Sequence, residues 1–280
     1  MSSDEINRLS GIKNKLERRA TVIEGVRAFF HLQGFIEIET PLRVPAVAPE
    51  RFIKPLMSEN WFLSTSPELQ MKRLLSAGYE KIFQICHCFR KGERGRHHNP
   101  EFTMLEWYRA GADYRQILED TENLVLFLAE RLGCGTSLEY QGNNIDLKKP
   151  WQEISVQEAY QKYAGWDPVN NFDELKFDDD MADKIIPSFV TDRPTVIKDY
   201  PAPCAALARL KSGSTGTVER AEVFIGGLEL ANAYSELNDP EEQEKRFRSE
   251  IEQMHQEGKA AVWPDKFMQS IGNMPPCGGI

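Results

Sequence analysis

The chain of 280 residues carries 34 Lys and Arg against 43 Asp and Glu, a formal net charge of −9, and 41% of its residues are apolar. This length and composition are typical of a globular protein with a large core. The longest apolar run covers only residues 124–129, whereas a membrane span needs roughly 20 residues. Net acidity argues against a protein that coats nucleic acid. The five cysteines include no CxxC pair, so we expect reduced thiols in a cytoplasmic protein.

The N-terminal part of the chain predicts a long helix followed by a short strand. Apolar residues recur at helical spacing from Ile12 to Phe30, and Gly34 ends the run. Residues 35–39 alternate in polarity, and Pro41 closes this strand because proline cannot donate to a sheet ladder.

A second helix and a β-hairpin are predicted next. Ser66 is placed as N-cap and Pro67 as the first residue of a helix that ends at Gly78. Two strands over residues 82–90 and 102–108 then flank a loop, which predicts a hairpin.

One face of the predicted hairpin is unusually polar. A sheet covered by helices on one side carries polar residues on the other only where that face lines a polar cavity or meets water. The pattern leaves both alternatives open. The face comprises Gln84, Cys86, Cys88, Arg90, Phe102, Met104, Glu106 and Tyr108.

Basic residues crowd the loop of this hairpin. A glycine-containing basic loop can wrap a polyphosphate, because guanidinium groups pair with the oxygens and glycine allows close backbone approach. A solvated charged turn explains the same composition and is favoured when the loop is considered alone. The basic residues are Arg90, Lys91, Arg94, Arg96, His97 and His98.

A third helix and an insertion follow. Asp113 and Gln116 form a capping box for a helix that ends at Gly133. Residues 138–200 are more polar and acidic, and they predict a small helical insertion.

The C-terminal part predicts a second hairpin and a last helix. Strand patterning returns at residues 219–225 and 228–236, and a helix starts at Asp239-Pro240. Strands arranged in hairpins, with helices that do not alternate regularly with them, predict an α+β fold with an antiparallel sheet flanked by helices.

Two pairs of acidic or polar residues have both a functional and a purely structural explanation. Glu229 and Glu236 could hold magnesium, but seven residues of straight strand would point them to opposite faces, so joint ligation requires a bulge or a strand end before Glu236. One buried and one exposed acid is the alternative. For Ser66 and Glu68, helix capping explains both residues without a ligand.

These pieces, in this order, resemble the catalytic core of class II aminoacyl-tRNA synthetases of the lysyl branch over nearly all of residues 12–280. The segment ending at Pro41 resembles the first motif, which implies a homodimer. Arg90 through Phe102 resembles the second motif, and Glu229 through Pro240 resembles the lysyl segment that holds ATP-bound magnesium and lysine. The resemblance implies one catalytic domain over residues 1–280.

Within that branch, residues 65–68 and 101–109 read like the elongation factor P lysine ligases. About 11 residues precede the first helix, whereas lysyl-tRNA synthetases carry an N-terminal anticodon-binding domain. The resemblance implies ATP-dependent activation of (R)-β-lysine as an adenylate and its transfer to a lysine of elongation factor P, with ATP and Mg²⁺ as cofactors. It implies no tRNA or membrane partner. Activation of α-lysine in the manner of a lysyl-tRNA synthetase is the enzymatic alternative.

The resemblance also implies roles for individual residues. Arg90 would grip the α-phosphate, Phe102 would stack on adenine, and Glu106 with Tyr108 would bind the side-chain ammonium. The implied ATP-binding residues are Arg90, Lys91, Gly92, Glu93, Asn99, Phe102, Glu229 and Leu230. The implied substrate-binding residues are Ser66, Pro67, Glu68, Glu106, Tyr108, Asn232 and Glu236, and the implied metal ligands are Glu229 and Glu236.

The sequence departs from the family pattern at two places. Gly92 stands where the second motif usually has glutamate, and Glu93 follows one residue later. The sequence ends at Ile280, where the third motif begins, so the arginine that would bind the γ-phosphate lies outside it. A truncated chain and a non-catalytic homologue that binds nucleotide or amino acid are both compatible with this pattern.

Overall fold

The computed structural model describes residues 3–280. Within them, no helix is both long and apolar enough to cross a membrane. The helices are α1 (Ser3–Gly11), α2 (Lys13–Leu32), α3 (Glu68–Ser76), α4 (Tyr114–Arg131), α5 (Val156–Ala159), α6 (Glu174–Asp180), α7 (Pro240–Gln256) and α8 (Asp265–Met268). The strands are β1 (Ile36–Glu37), β2 (Arg43–Val44), β3 (Met57–Ser58), β4 (Trp61–Leu63), β5 (Lys81–Phe89), β6 (Glu101–Ala110), β7 (Ser137–Tyr140), β8 (Asn143–Asp146), β9 (Gln152–Ser155), β10 (Thr195–Pro201), β11 (Thr217–Ile225), β12 (Leu228–Ser235) and β13 (Cys277–Gly279).

A central eight-stranded sheet organises the fold. Its strand order is β1-β5-β6-β13-β12-β11-β10-β9. The pairs at its two ends, β1 with β5 and β9 with β10, are parallel, and the pairs between them are antiparallel. Strands β2, β4 and β3 form a small sheet, and β7 with β8 forms another. The predicted α+β fold with an antiparallel sheet flanked by helices is confirmed.

Helices α2 and α4 cover one face of the sheet. Helix α2 ends as predicted, with Gly34 taking a left-handed φ of +76° in the turn to β1. Phe30 is fully buried; its ring stacks on Phe83 with centroids 4.7 Å apart and lies 5.0 Å from Trp107. Because strand residues alternate, this packing assigns the odd-numbered residues of β5 and β6 to the covered face.

The opposite face is covered in part by α3, α7 and α8. A second apolar cluster joins these helices to β5 and β6. The site described below lies on this same face, in the area where polar rather than apolar side chains meet. The cluster includes Leu69, Leu75, Ile82, Tyr108, Phe247 and Phe267.

Helix starts agree with the predicted capping residues. Asp113 and Gln116 form the predicted capping box of α4. Helix α3 begins at Glu68, one residue later than predicted, yet the Ser66 hydroxyl still accepts a hydrogen bond from the Glu68 N–H at 3.0 Å. Such shifts of one residue are ordinary at helix ends.

The predicted insertion over residues 138–200 is too wide. Its helices α5 and α6 lie between β9 and β10, but both of these strands belong to the central sheet. Strand β10 was not predicted because two charged residues interrupt its apolar pattern. Lys198 pairs with Glu153 across the two strands, and Asp199 lies in a bulge with a positive φ of 60°.

Strand β13 joins the two halves of the sheet, because it pairs with β6 on one side and β12 on the other. A Cβ at Gly278 would lie 2.6 Å from the Ile117 side chain and 2.8 Å from the Asp113 carbonyl oxygen. A Cβ at Gly279 would overlap the Glu236 carboxylate and the Tyr108 ring. The two glycines therefore allow the strands and the helix above them to approach closely.

Candidate active site

The polar face of the β5–β6 hairpin is buried. Gln84 lies opposite Glu106 in the antiparallel register, and Ile82 lies opposite Tyr108. Gln84, Glu106 and Tyr108 are 1%, 6% and 3% exposed. The alternative of a face washed by water is therefore wrong here, and the polar side chains line an interior site.

Ser66, Glu106 and Tyr108 form one hydrogen-bonded unit. The Ser66 hydroxyl donates to Glu106 Oε1 at 2.5 Å, and the Tyr108 hydroxyl donates to Glu106 Oε2 at 3.1 Å. Burial, and secondarily the charge of Glu68, raise the pKa of Glu106 to about 8, while the two hydrogen bonds oppose that rise. Ser66 thus accepts from the first turn of α3 and also orients Glu106, and its role in substrate binding stays a prediction.

Lys72 is a site residue that the sequence analysis missed. Its ammonium lies 2.6 Å from Glu68 Oε1 and 2.5 Å from Glu236 Oε2, and its side chain is fully buried. Burial raises the pKa of Glu236 to about 7 against the opposing effect of Lys72. Within residues 3–280, the other Glu236 oxygen, Oε1, has no hydrogen-bond partner. The i,i+4 spacing of Glu68 and Lys72 was visible in the sequence, but the partner Glu236 is distant along the chain.

Arg90 follows Phe89, the last residue of β5. Its Nε donates to the Thr65 carbonyl oxygen at 3.3 Å, and its guanidinium carbon lies 5.2 Å from the centre of the Phe102 ring. Pro67 is buried and carries the turn from Thr65 into α3. Arg90 is only half-buried, so its guanidinium can reach an anion that enters from the open side.

The loop that follows Arg90 is mostly exposed. Gly92 takes a left-handed φ of +85°, which suits glycine. Lys91 and Asn99 are exposed, while Glu93 is half-buried. The structure brings Phe102 against Arg90, and the adenine-binding roles of Asn99 and Phe102 stay predictions.

The bulge required for the carboxylates of β12 exists. Val223 pairs with Ala231 and Phe224 with Glu229, so Leu230 is the extra residue on β12. The bulge places Glu229, Asn232 and Glu236 on one face, because one additional residue reverses the alternation. Leu230 is 56% exposed.

The structure places a further carboxylate near the predicted metal pair. Glu236 is held by Lys72, whereas desolvation, followed by the charge of Glu222 on β11, raises the pKa of Glu229 to about 7. Glu222 also pairs with Arg220 at 2.7 Å. The pair of Glu229 and Glu236 stays a prediction, and Glu222 is a further carboxylate near Glu229. The sequence analysis missed Glu222 because its position opposite Asn232 depends on the bulge.

Two further charged residues border the site. Arg220 is held between rings, with its guanidinium carbon 4.4 Å from the centre of the Tyr200 ring and 5.9 Å from that of Tyr234. Burial, followed by the charge of Glu68, raises the pKa of Glu50 to about 7. Glu50 follows β2 in a loop, and the sequence around it did not predict that it would lie near the site.

The donor chemistry fits ATP with Mg²⁺. Glu222 and Glu229 are hard oxygen donors that repel each other, and magnesium takes one or two carboxylates and completes its shell with phosphate and water. Arg90 is suited to a phosphate because its planar guanidinium can bind two oxygens at once. The site therefore combines a buried acidic pocket with an anion-binding arginine and a carboxylate pair.

The sequence profile of tRNA synthetases class II (D, K and N) matches residues 5–280. The chain belongs to this family. Among the similar class II synthetases, the lysine–tRNA ligase of Clostridium novyi (strain NT) is 32% identical, with the alignment covering 96% of this chain and 58% of that protein. Lysine–tRNA ligase 2 of Methanosarcina acetivorans is 35% identical over 94% of this chain and 56% of its own length. The chain thus spans under two thirds of the length of these class II relatives.

Proposed function

We propose that this protein activates a lysine-like diamino acid with ATP. The observation that carries the proposal is the buried carboxyl of Glu106, which Ser66 and Tyr108 orient, whereas Lys72 already neutralises Glu68 and Glu236. Desolvated carboxylates favour an ammonium group and penalise a neutral side chain. The names of the lysine–tRNA ligase relatives agree with such a substrate.

Each part of the site has a task in adenylate formation. The carboxylate of the amino acid attacks the α-phosphorus of ATP, and pyrophosphate leaves. Arg90 holds the α-phosphate and stabilises the charge that develops there. Glu106, oriented by Ser66 and Tyr108, receives an ammonium group of the substrate. Bound Mg²⁺, which Glu222 and Glu229 would hold, neutralises the charge of the phosphates.

For the second step we propose transfer of (R)-β-lysine to a lysine of elongation factor P. The ε-amine of that lysine attacks the activated carbonyl, an amide bond forms, and AMP and a proton leave. The resemblance of residues 65–68 and 101–109 to the elongation factor P ligases supports this choice. Activation of α-lysine for tRNA is the second candidate, and it is favoured by the names of the relatives. A homodimer stays a prediction.

ATP–pyrophosphate exchange tests the first step. We would assay the protein with (R)-β-lysine, α-lysine and no amino acid, beside a version extended through any coding sequence downstream of Ile280. Exchange led by (R)-β-lysine, followed by a mass increase of elongation factor P, supports the proposal. Exchange led by α-lysine supports the tRNA-ligase alternative. If neither version catalyses exchange but nucleotide still binds, the result supports a non-catalytic homologue.

A matched pair of variants tests the acidic pocket. Glu106→Gln should lower kcat/KM for the amino acid by about 10²–10³-fold, because a buried charge partner is lost, and it should leave ATP binding in place. Glu101→Gln, on the same strand with an exposed side chain that pairs with His87, should change neither. Unchanged kinetics for Glu106→Gln would remove this residue from the substrate site.

A further inference from the structure

Three sulfur atoms lie together on the site-facing side of the β5–β6 hairpin, and the proposed reaction uses none of them. The Sγ atoms of Cys86 and Cys88 are 3.9 Å apart, and Cys88 Sγ is 4.0 Å from Met104 Sδ. Cys86 and Met104 are directly opposite in the register, so their side chains are cross-strand neighbours. Both cysteines are buried free thiols. The Sγ atom of Cys88 therefore lies within 4.0 Å of both other sulfur atoms.

These separations suit ligands of one soft metal ion. Two sulfur atoms that each lie about 2.3 Å from a metal ion, at tetrahedral to trigonal angles, are roughly 3.8–4.0 Å apart. Thiolate and thioether ligands select Cu(I). Structural zinc takes four ligands, and in the described part of the chain no group of three or more His, Cys, Asp and Glu residues could hold a metal. The chemistry of this set therefore favours Cu(I) over Zn²⁺.

The surroundings of the three sulfur atoms supply a donor and a positive charge. Gln84 lies two residues before Cys86 on the same face and is 1% exposed. Its Oε1 accepts from the Thr40 N–H at 3.2 Å, but its Nε2 has no partner among residues 3–280. An amide donor beside thiolates stabilises them, as outer-shell groups do in metal sites. Arg90, two residues after Cys88, adds a positive charge near an anionic complex.

We propose that Cys86, Cys88 and Met104 form a Cu(I) site in the floor of the catalytic face. On binding, two S–H bonds break, two protons pass to the buffer and three S–Cu bonds form, without electron transfer. Met104 is half-buried and marks the side from which the ion enters. Because Arg90 and Glu106 share this face, the bound ion inhibits amino-acid activation; this consequence rests on the proposed function.

Binding is tested without any activity measurement. The full chain is titrated with Cu(I) under reducing, anaerobic conditions, in competition with the chromogenic chelator bathocuproine disulfonate. We expect one Cu(I) per chain and release of two protons per ion in weak buffer. Cys86→Ala/Cys88→Ala should weaken binding at least 100-fold, and Met104→Leu about tenfold. The matched control Cys134→Ala/Cys204→Ala, which removes two half-buried thiols, should bind like the wild type.

Two results overturn the Cu(I) site. One is retention of the ion by a folded Cys86→Ala/Cys88→Ala variant, and the other is equal loss in the Cys134→Ala/Cys204→Ala control. If the double alanine variant does not fold by circular dichroism, Cys86→Ser and Met104→Leu are compared singly, and unchanged affinity in both also overturns it. Absence of pyrophosphate exchange by the metal-free protein would instead count against the proposed function and would leave the binding result intact.

Discussion

Replacing Lys72 with methionine isolates the contribution of one buried cation. Methionine keeps most of the apolar stem of lysine and removes the ammonium that lies within 2.6 Å of both Glu68 and Glu236. Removing one partner of a buried ion pair costs about 3–5 kcal/mol because the other charge stays buried without compensation. We expect Lys72→Met to lose that much free energy of unfolding at pH 7.5.

The loss should depend on pH, and its sign follows from Glu236. Burial raises the folded pKa of Glu236 to about 7, above its ordinary value of 4.5. Without Lys72 that pKa rises further, so the folded variant binds a proton more tightly than the unfolded chain does. Its stability is then retained at low pH and falls as pH rises through the folded pKa. Lys72→Met should therefore be closer to the wild type at pH 5.5 than at pH 7.5.

Urea denaturation at the two pH values provides the measurement. Lys13→Met is the control, because Lys13 belongs to an exposed ion pair with Glu17 and such pairs contribute little. The double variant Lys72→Met/Glu236→Gln should recover part of the loss, since it removes the uncompensated charge. A Lys72→Met variant as stable as the wild type at pH 7.5, or an equal loss at both pH values, would refute the reasoning.

Three shorter predictions concern other parts of the site. Burial raises the folded pKa of Glu106 to about 8, so its stabilising contribution is present below pH 4.5 and is lost as pH rises through about 8. Between pH 5 and 8.5, the melting temperature should therefore fall more steeply for the wild type than for Glu106→Gln. Parallel curves of melting temperature against pH would contradict this. Arg90→Lys should reduce kcat for pyrophosphate exchange by about 10²–10³-fold, because lysine lacks the planar guanidinium; equal rates in a steady-state assay would remove Arg90 from the chemistry. Gly279→Ala should lose about 1–3 kcal/mol by overpacking in urea denaturation, whereas Gly272→Ala, whose Cβ would meet only the Pro240 ring at 4.0 Å, should not.

Local patterns in the sequence were sufficient for the elements that frame the site. The polar face of the hairpin, the Asp113 capping box and the need for a bulge near Glu229 all follow from alternation and capping, which act over a few residues. These features were predicted because their causes lie within one or two neighbouring elements. The structure confirms the capping box, buries the hairpin face that the pattern had left open, and contains a bulge of the kind that joint ligation would require.

Long-range pairing accounts for what the sequence analysis missed. Lys72 contacts Glu236 only after α3 packs against the end of the strand. The sequence next to either residue does not predict this contact. Glu222 depends on the register of β11 against the bulged strand. Strand β10 was hidden because Asp199 occupies a bulge, so the usual alternation fails at that point. In each case tertiary contacts decide the role of a residue whose local sequence is unremarkable.

The bulge in β12 constrains the strand pairing rather than the residue type at position 230. Leu230 is 56% exposed, so many side chains fit there, and a substitution scan would score the position as permissive. A regular pairing of the same residues would instead place Leu230 opposite Phe224 and turn Glu229 to the covered face, while Asn232 stays opposite Glu222, because the side-chain period of a strand is two. A designer who borrows this hairpin can therefore vary the identity of residue 230 but must preserve the bulged pairing that keeps Glu229 on the same face as Asn232.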